Sequence, residues 1–486
     1  MEAKRIFFVL LILLTTLCVM AQQGKKTIIS LYVPQLINKT ASAELQLQQF
    51  NNLEKSVSKL RIPVRNGEAK SIFNLDEPRN FGLVFCGKVL FLPPLFDALI
   101  EPGDSLHVVV TDTLKTGLSD LIITGSGKEK FDLLKYVYNR YFEVCSTLKP
   151  PTQTTIEEHY QWTDTLITVV DSCFQSKRST VKPFIFEVLH AQAIDKIIEL
   201  VLLRSLKTSQ EHSTASAFKK YVIDKNIVKR FTNPGLIKHM PYSHKVLTYI
   251  ALLDYGIRQK IPVNTLSVSL TPECYNAISS FYSDNPEIKN YLLAERLVMY
   301  LQISPFDNSM EEVYKTFSRE MPRSELYRQV VDRYDFTKKT KSIGRPFYNF
   351  RLQDTSKNEV SLTDFRGKKV LLDFWFSGCQ PCKLFVPTLT ELAKRYKNKN
   401  LVFLSISIDN SFDIWKSNVN QYSIPEAIHL YTNGQGKNHP LINAASILVY
   451  PTLILVDEEG NVELTNMLTH QPEDIFKVLD KAILSK

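Results

Sequence analysis

Asp373-Phe374-Trp375-Phe376-Ser377-Gly378-Cys379-Gln380-Pro381-Cys382-Lys383 is the stretch on which the reading of this chain turns. The apolar run from Val370 to Phe376 predicts a buried strand. It ends in Ser-Gly, and Cys379 and Cys382 follow at i and i+3 with Pro381 between them. On the first turn of a helix that spacing brings both sulfurs to one face, within reach of a disulfide. Cys379 then stands at the helix N-terminus, where unpaired N–H groups and the helix dipole favour a thiolate. A thiolate that attacks, backed by a second that resolves, is the chemistry of dithiol–disulfide exchange.

The bare motif is weak in a chain with seven cysteines, and other readings compete with it. A zinc knuckle would need a second CxxC or a Cys/His pair nearby, and the sequence has neither. A structural disulfide fits the spacing, but the strand–CxxC–helix context is the redox one. No metal and no cofactor is expected: no Gly-rich dinucleotide fingerprint accompanies the motif, and no flavin-type site can be defended.

From Gly344 onward the chain resembles the thioredoxin superfamily, and within it the secreted TlpA-like and ResA-like thiol–disulfide oxidoreductases. Gly344-Arg345-Pro346-Phe347-Tyr348-Asn349-Phe350 is similar to that family's entry segment, a proline and two aromatics before the first strands. Glu359 to Lys368 resembles its turn into the central strand, and Tyr450-Pro451-Thr452 to Asp457 its proline-led strand facing the CxxC. Glu458-Glu459-Gly460-Asn461-Val462 resembles the hairpin that follows. Several motifs in the right order are more specific than one.

The resemblance implies site residues. Cys379 and Cys382 are the redox pair, and Pro451 is expected in cis, with Tyr450-Pro451 as a docking edge for an extended substrate; a trans proline starting a strand is the plain alternative. Trp375, Gly378 and Tyr450 complete the expected docking set. Asp373 is a carboxylate inside an apolar run, costly there without a partner or a task. It matches the buried aspartate of thioredoxin that takes and returns the proton of the second cysteine, and desolvation should raise its pKa. The bland alternative is an exposed aspartate paired with a lysine such as Lys368.

Two departures from the family matter. Gly378 stands where a tryptophan is usual, so the aromatic shield over the first cysteine is missing. Phe385 replaces the glutamate of ResA-like proteins, which shifts the proton chemistry to Asp373 and argues against a narrow role in cytochrome c maturation. Gln380-Pro381 between the cysteines resembles a reducing thioredoxin more than a strong oxidant.

At the other end, the basic start Met1-Glu2-Ala3-Lys4-Arg5 precedes an apolar run from Ile6 to Met20, with small side chains about Val19-Met20-Ala21. This reads as a signal peptide, 1–21, cleaved after Ala21; a retained anchor is the runner-up and the only route to membrane association. The bulky Leu17 before Cys18 argues against a lipoprotein signal. The expected location is the periplasm or cell envelope of a Gram-negative bacterium. Its expected partners are exported disulfide-containing proteins and an electron donor such as a membrane thiol reductase.

Length implies a multidomain chain. Residues 26–125 are strand-like, clearest over Thr27–Val33, Phe81–Cys86, Lys88–Leu92 and Ser105–Val110, and resemble the small β-sandwich that often precedes secreted thioredoxin-like domains. Residues 128–335 turn to helical periodicity and predict an all-α region. Phe131, Leu134, Tyr138 and Tyr141-Phe142 form one apolar stripe, and Phe184, Leu189, Ile194 and Ile197-Ile198 form another. Residues 336–344, with the basic run Lys338-Lys339-Thr340-Lys341, read as a solvated linker, and 345–486 as the α/β thioredoxin fold. The net charge of +9 is spread among interspersed acids and bases without a basic stripe, which excludes a nucleic-acid footprint. Cys86, Cys145, Cys173 and Cys274 could form two bridges or remain buried thiols. The function expected is exchange of disulfides, in the reducing direction, in exported proteins. The rival is a partner-binding or assembly protein that uses the thioredoxin fold as a scaffold.

Overall fold

Alternation of buried and exposed side chains builds the N-terminal sheets. The computed structural model describes residues 24–34, 37, 41–48, 57–85, 88–89, 98–111, 121–148, 156–199, 214–223, 236, 243–261, 271–303, 306, 308–465 and 472–484. The expected signal segment 1–21 and Cys86 lie outside the described residues. Contacts divide the chain into two units, Met1–Val268 with Asn276–Leu292, and Ser269–Tyr275 with Leu293–Lys486.

Among its described residues the first unit contains nine strands: β1 (Lys25–Tyr32), β2 (Ala41–Gln48), β3 (Val57–Val64), β4 (Glu68–Leu75), β5 (Arg79–Phe85), β6 (Lys88–Val89), β7 (Ala98–Ile100), β8 (Ser105–Val110) and β9 (Leu121–Ser126). One sheet has the order β4-β1-β8-β9; the other runs β3-β2-β5-β6, with β7 paired to β5. Ile29, Leu31, Leu106 and Val108 of the first sheet share a core with Ile62 and Val64 of β3 and Ile100 of β7, which makes a sandwich. Phe131, from the helix Glu129–Thr147, closes that core. Its neighbour Lys130 is buried too, and its Nζ reaches Asp104 at 2.5 Å and Glu101 at 3.0 Å. Lys182 meets the other oxygen of Glu101 at 2.7 Å.

The helices Ile156–Ser176 and Pro183–Ile197 follow, with Phe174 edge-on to Phe186. Ser243 donates to buried Asp195 at 2.9 Å and so ties the helix Ser243–Gln259 to Pro183–Ile197. The expected stripes are corrected at their ends. Phe142 and Phe184 are exposed. Cys145, Cys173 and Cys274 are free thiols.

The helical region is divided between the two units, so 128–335 does not stand as one body. The expected linker is also corrected. The helix Glu325–Lys341 runs through its first two-thirds, and Lys341 is buried. Its Nζ donates to the carbonyls of Leu301 (3.0 Å) and Gln302 (2.7 Å) at the end of the helix Pro286–Ile303, where carbonyls lack intrahelical partners. Burial pushes its pKa down to about 7. Lys338 and Lys339 of the same run are exposed, so the basic run fails as a guide to solvation only at Lys341.

The second unit holds a seven-stranded sheet made of β10 (Arg351–Asp354), β11 (Glu359–Ser361), β12 (Lys369–Trp375), β13 (Leu401–Ser407), β14 (Ile428–Tyr431), β15 (Thr452–Val456) and β16 (Val462–Leu464). Its order is β11-β10-β14-β13-β12-β15-β16. β12 is central, parallel to β13 and antiparallel to β15. A strand buried on both faces reads as a continuous apolar run, which is how β12 reads. Leu372 and Phe374 enter the core on one face; Leu371 and Trp375 pack on the other, against the helices Gln380–Arg395 and Phe412–Tyr422. No helix among the described residues is long and apolar enough to cross a membrane.

Candidate active site

β12 delivers its chemistry at its C-terminal end. The chain leaves Trp375, turns through Phe376-Ser377-Gly378, and returns the Cys379 N–H to the Phe376 carbonyl at 3.1 Å. Gly378 takes φ +94°, a conformation that glycine alone adopts without a Cβ penalty. Cys379 caps the helix Gln380–Arg395, and its Sγ accepts the Cys382 N–H at 3.2 Å. Pro381 lies in the first turn, where its missing N–H costs nothing. Cys379 and Cys382 are joined as a disulfide with Cα atoms 5.3 Å apart. The cysteines are only 3% and 2% exposed, but Gly378, Gln380 and Pro381 around them are open to solvent. The disulfide thus lies just below the surface.

Side chains from neighbouring elements pin this turn. Asp409, beyond the end of β13, accepts the Ser377 N–H at 3.0 Å, the Ser377 hydroxyl at 2.8 Å and the Ser407 hydroxyl at 2.8 Å. The Tyr422 hydroxyl accepts the Gly378 N–H at 2.9 Å, and the Tyr422 ring stacks on Trp375 with centroids 5.2 Å apart. Trp375 is fully buried, and its indole N–H donates to the Ser405 hydroxyl at 2.7 Å. That corrects its expected place in the docking set: a ring covered by Tyr422 and committed to Ser405 cannot touch a substrate, and it supports the turn from beneath.

Asp373 is buried two residues before Trp375 on the same face of β12. Neither carboxylate oxygen has a hydrogen-bond partner among the described residues, so the alternative of a pair with Lys368 is not realised. Desolvation without compensation pushes its pKa up to about 8. Such a carboxyl group takes or gives a proton near neutral pH.

The Tyr450–Pro451 bond is cis. Thr452 pairs with Phe374, which brings Pro451 beside the end of β12. Tyr450 lies edge-on to Phe376 at 5.4 Å, and burial raises the pKa of its hydroxyl. Gly378, by contrast, has open space where a Cβ would project. The structure therefore brings Cys379, Cys382, Asp373 and Pro451 to one end of the sheet. No group of acids, histidines and cysteines fit to hold a metal occurs among the described residues.

A thioredoxin-like family profile matches residues 367–462. The thiol-disulfide oxidoreductase ResA of Bacillus thuringiensis subsp. konkukian is 31% identical over 128 residues, which cover 26% of this chain and 71% of that protein. The chain belongs to the thioredoxin-like thiol-disulfide oxidoreductases. ResA of Bacillus subtilis is 28% identical over 146 residues, 29% of this oxidoreductase and 79% of the relative. A solved thioredoxin domain of a thiol-disulfide oxidoreductase from Bacteroides vulgatus is 26% identical, covers 29% of this chain and 98% of its own, and gives a TM-score of 0.27.

Sequence reasoning missed Ser405, Asp409, Tyr422 and His429 in this oxidoreductase. A signal existed for the first two. Ser405-Ile406-Ser407-Ile408-Asp409 alternates polar and apolar residues along β13, which marks a polar face in a strand that is otherwise core. Tyr422 and His429 carry no local signal, since only the packing of the helix and of β14 onto that face places them.

Proposed function

We propose that this protein is an exported thiol–disulfide oxidoreductase that reduces disulfides of other exported proteins through Cys379 and Cys382. The observation that carries the reading is the pairing of a helix-capping Cys379 sulfur with an uncompensated buried carboxyl group, Asp373, on the strand leading to it. In the reduced protein Cys379, as thiolate, attacks a substrate disulfide and forms a mixed disulfide. The Cys382 thiol then gives its proton to Asp373, and its sulfur attacks Cys379, which releases the reduced substrate. Exposed Gly378 and the Tyr450-Pro451 segment form the docking edge. An exported location rests on the signal-like start of the chain, and the electron donor is a thiol reductase of the membrane.

The test is capture and turnover. Cys382→Ser should accumulate mixed disulfides with exported proteins, and Cys379→Ser should lose insulin reduction. Parental activity in both variants would overturn the reading and leave the scaffold role.

A further inference from the structure

The row of side chains that includes Asp373 continues across the sheet. Asp373 on β12 stands opposite Ser405 on β13, and Ser405 stands opposite His429 on β14. Alternation places all three on one face. Their neighbours Phe374, Ile406 and Leu430 belong to the core on the other side, whereas Trp375 and Tyr431 share the near face. Adjacent strands lie about 4.8 Å apart, so the three form a line across two strand spacings.

Each member is chemically equipped for transfer. Ser405 is buried, and its oxygen accepts the Trp375 indole N–H, which leaves the hydroxyl hydrogen to be donated. His429 Nδ1 is buried and has no partner among the described residues, the same condition as both oxygens of Asp373. Buried polar atoms in that state call for a reason. β14 pairs with β10 only at Leu430 and Tyr431, so at His429 the next strand has already turned away and the ring is half-buried. Burial lowers the His429 pKa, which keeps the ring neutral and able to accept. The other titratable groups on this face are engaged elsewhere: Tyr422 with Gly378, Tyr396 with Asp480, and Lys369 with Glu463. Tyr431 is held protonated by burial.

We infer that Ser405 and His429 form the route by which the proton taken up by Asp373 leaves the interior. The inference rests on the reading of Asp373 as the acceptor from Cys382. In the resolving step the Cys382 S–H bond breaks, its proton goes to Asp373, and its sulfur bonds to Cys379. The Cys379–substrate S–S bond breaks, and the substrate leaves as a thiolate that is protonated by solvent. Because Asp373 holds a proton into neutral pH, it must be emptied before it can accept that of Cys382: it passes its proton to the Ser405 hydroxyl, directly or through one water, while Ser405 passes its own to His429 Nδ1, and release of the substrate waits on that transfer. His429 returns to the neutral ring by losing its Nε2 proton to solvent. Ser405 and His429 are relay residues and touch no sulfur.

The test uses the full chain with thionitrobenzoate as the mixed-disulfide partner on Cys379, and follows its release by Cys382 against pH. His429→Gln, His429→Ala and Ser405→Ala should each slow release by about tenfold near neutral pH. Ser405→Thr should retain it, and imidazole should restore His429→Ala. Alkylation of Cys379 should stay at the parental rate in all of them, which shows that the site is folded. Parental release in both His429 variants overturns the route. So does a loss with an unchanged pH profile that imidazole does not restore, since that is a packing effect. Asp373→Asn separates the two levels. If it also releases at the parental rate, the acceptor reading fails and the route with it; if it alone is slow, only the route fails.

Discussion

Lys130 in the N-terminal unit and Asp373 in the C-terminal unit are both buried ionisable groups, and their surroundings treat them in opposite ways. Lys130 has two carboxylates within 3.0 Å, and one of them, Glu101, is shared with Lys182. Burial disfavours ionising Glu101, but the two lysines together outweigh it and hold its pKa below the usual value, whereas at the more deeply buried Asp104 burial outweighs Lys130 and keeps the pKa raised. Asp373 has no such partner and pays the full desolvation cost, so it stays protonated into neutral pH. Compensated charge fixes geometry; uncompensated charge stores a movable proton. This difference marks one region as architecture and the other as chemistry.

Breaking the compensated side should have the largest effect. Lys130→Met leaves Asp104 buried without its cation and should cost about 3–5 kcal/mol of stability in the sandwich. Denaturant melting followed by circular dichroism measures it, and insulin reduction by the folded variant should be unchanged. A loss below about 1 kcal/mol would show that the pair is solvated as surface pairs are.

Relieving the uncompensated side should do the reverse. An acid whose folded pKa lies above its unfolded value binds more protons folded than unfolded between those two values. Stability therefore falls as pH rises from the ordinary carboxylate range, 3.8, to about 8. Asp373→Asn should remove that penalty and stabilise the oxidised protein near neutral pH by up to about 4 kcal/mol. The gain should vanish below the carboxylate range. Two of the three tryptophans, Trp375 and Trp415, lie in this unit, so fluorescence melting at several pH values reports on it. A gain independent of pH would mean that Asp373 is not the titrating group.

Asp409 sharpens the contrast from within the active unit, because it is a carboxylate with three donors beside one with none. Asp409→Ala should cost about 2 kcal/mol, and insulin reduction should slow as the turn before Cys379 loosens. Equal melting and equal activity would show that the turn is held by Tyr422 alone. The smallest effect belongs to Gly378. Gly378→Ala puts a Cβ into open space, so only the positive φ opposes it, by about 1 kcal/mol. A larger loss, seen in the same melts, would point to a clash that the open space excludes.

Much of the second unit was legible before any coordinates. The apolar β12 run, the CxxC at the mouth of a helix and the acid inside the run each carry a local pattern, and each lies where that pattern places it. Trp375 was misjudged because hydrophobicity and size cannot tell a docking ring from a covered one; the Tyr422 stack decides that. The linker was misjudged for a related reason. Three lysines in a row of four read as solvated, yet the helix turns Lys341 inward onto carbonyls forty residues earlier in the chain.

Local order along the chain settled which bonds and protons this protein can offer: two sulfurs at helical spacing, a carboxyl group in an apolar strand, a proline-led strand to face them. What surrounds each group was settled only when separate strands and helices came into register. Ser405, Asp409, Tyr422 and His429 lie between twenty-three and forty-seven residues from the nearest of the two cysteines. Chain proximity cannot encode such neighbours. They become neighbours only because burying apolar faces aligns β13, β14 and a helix with β12, and the polar atoms are carried along.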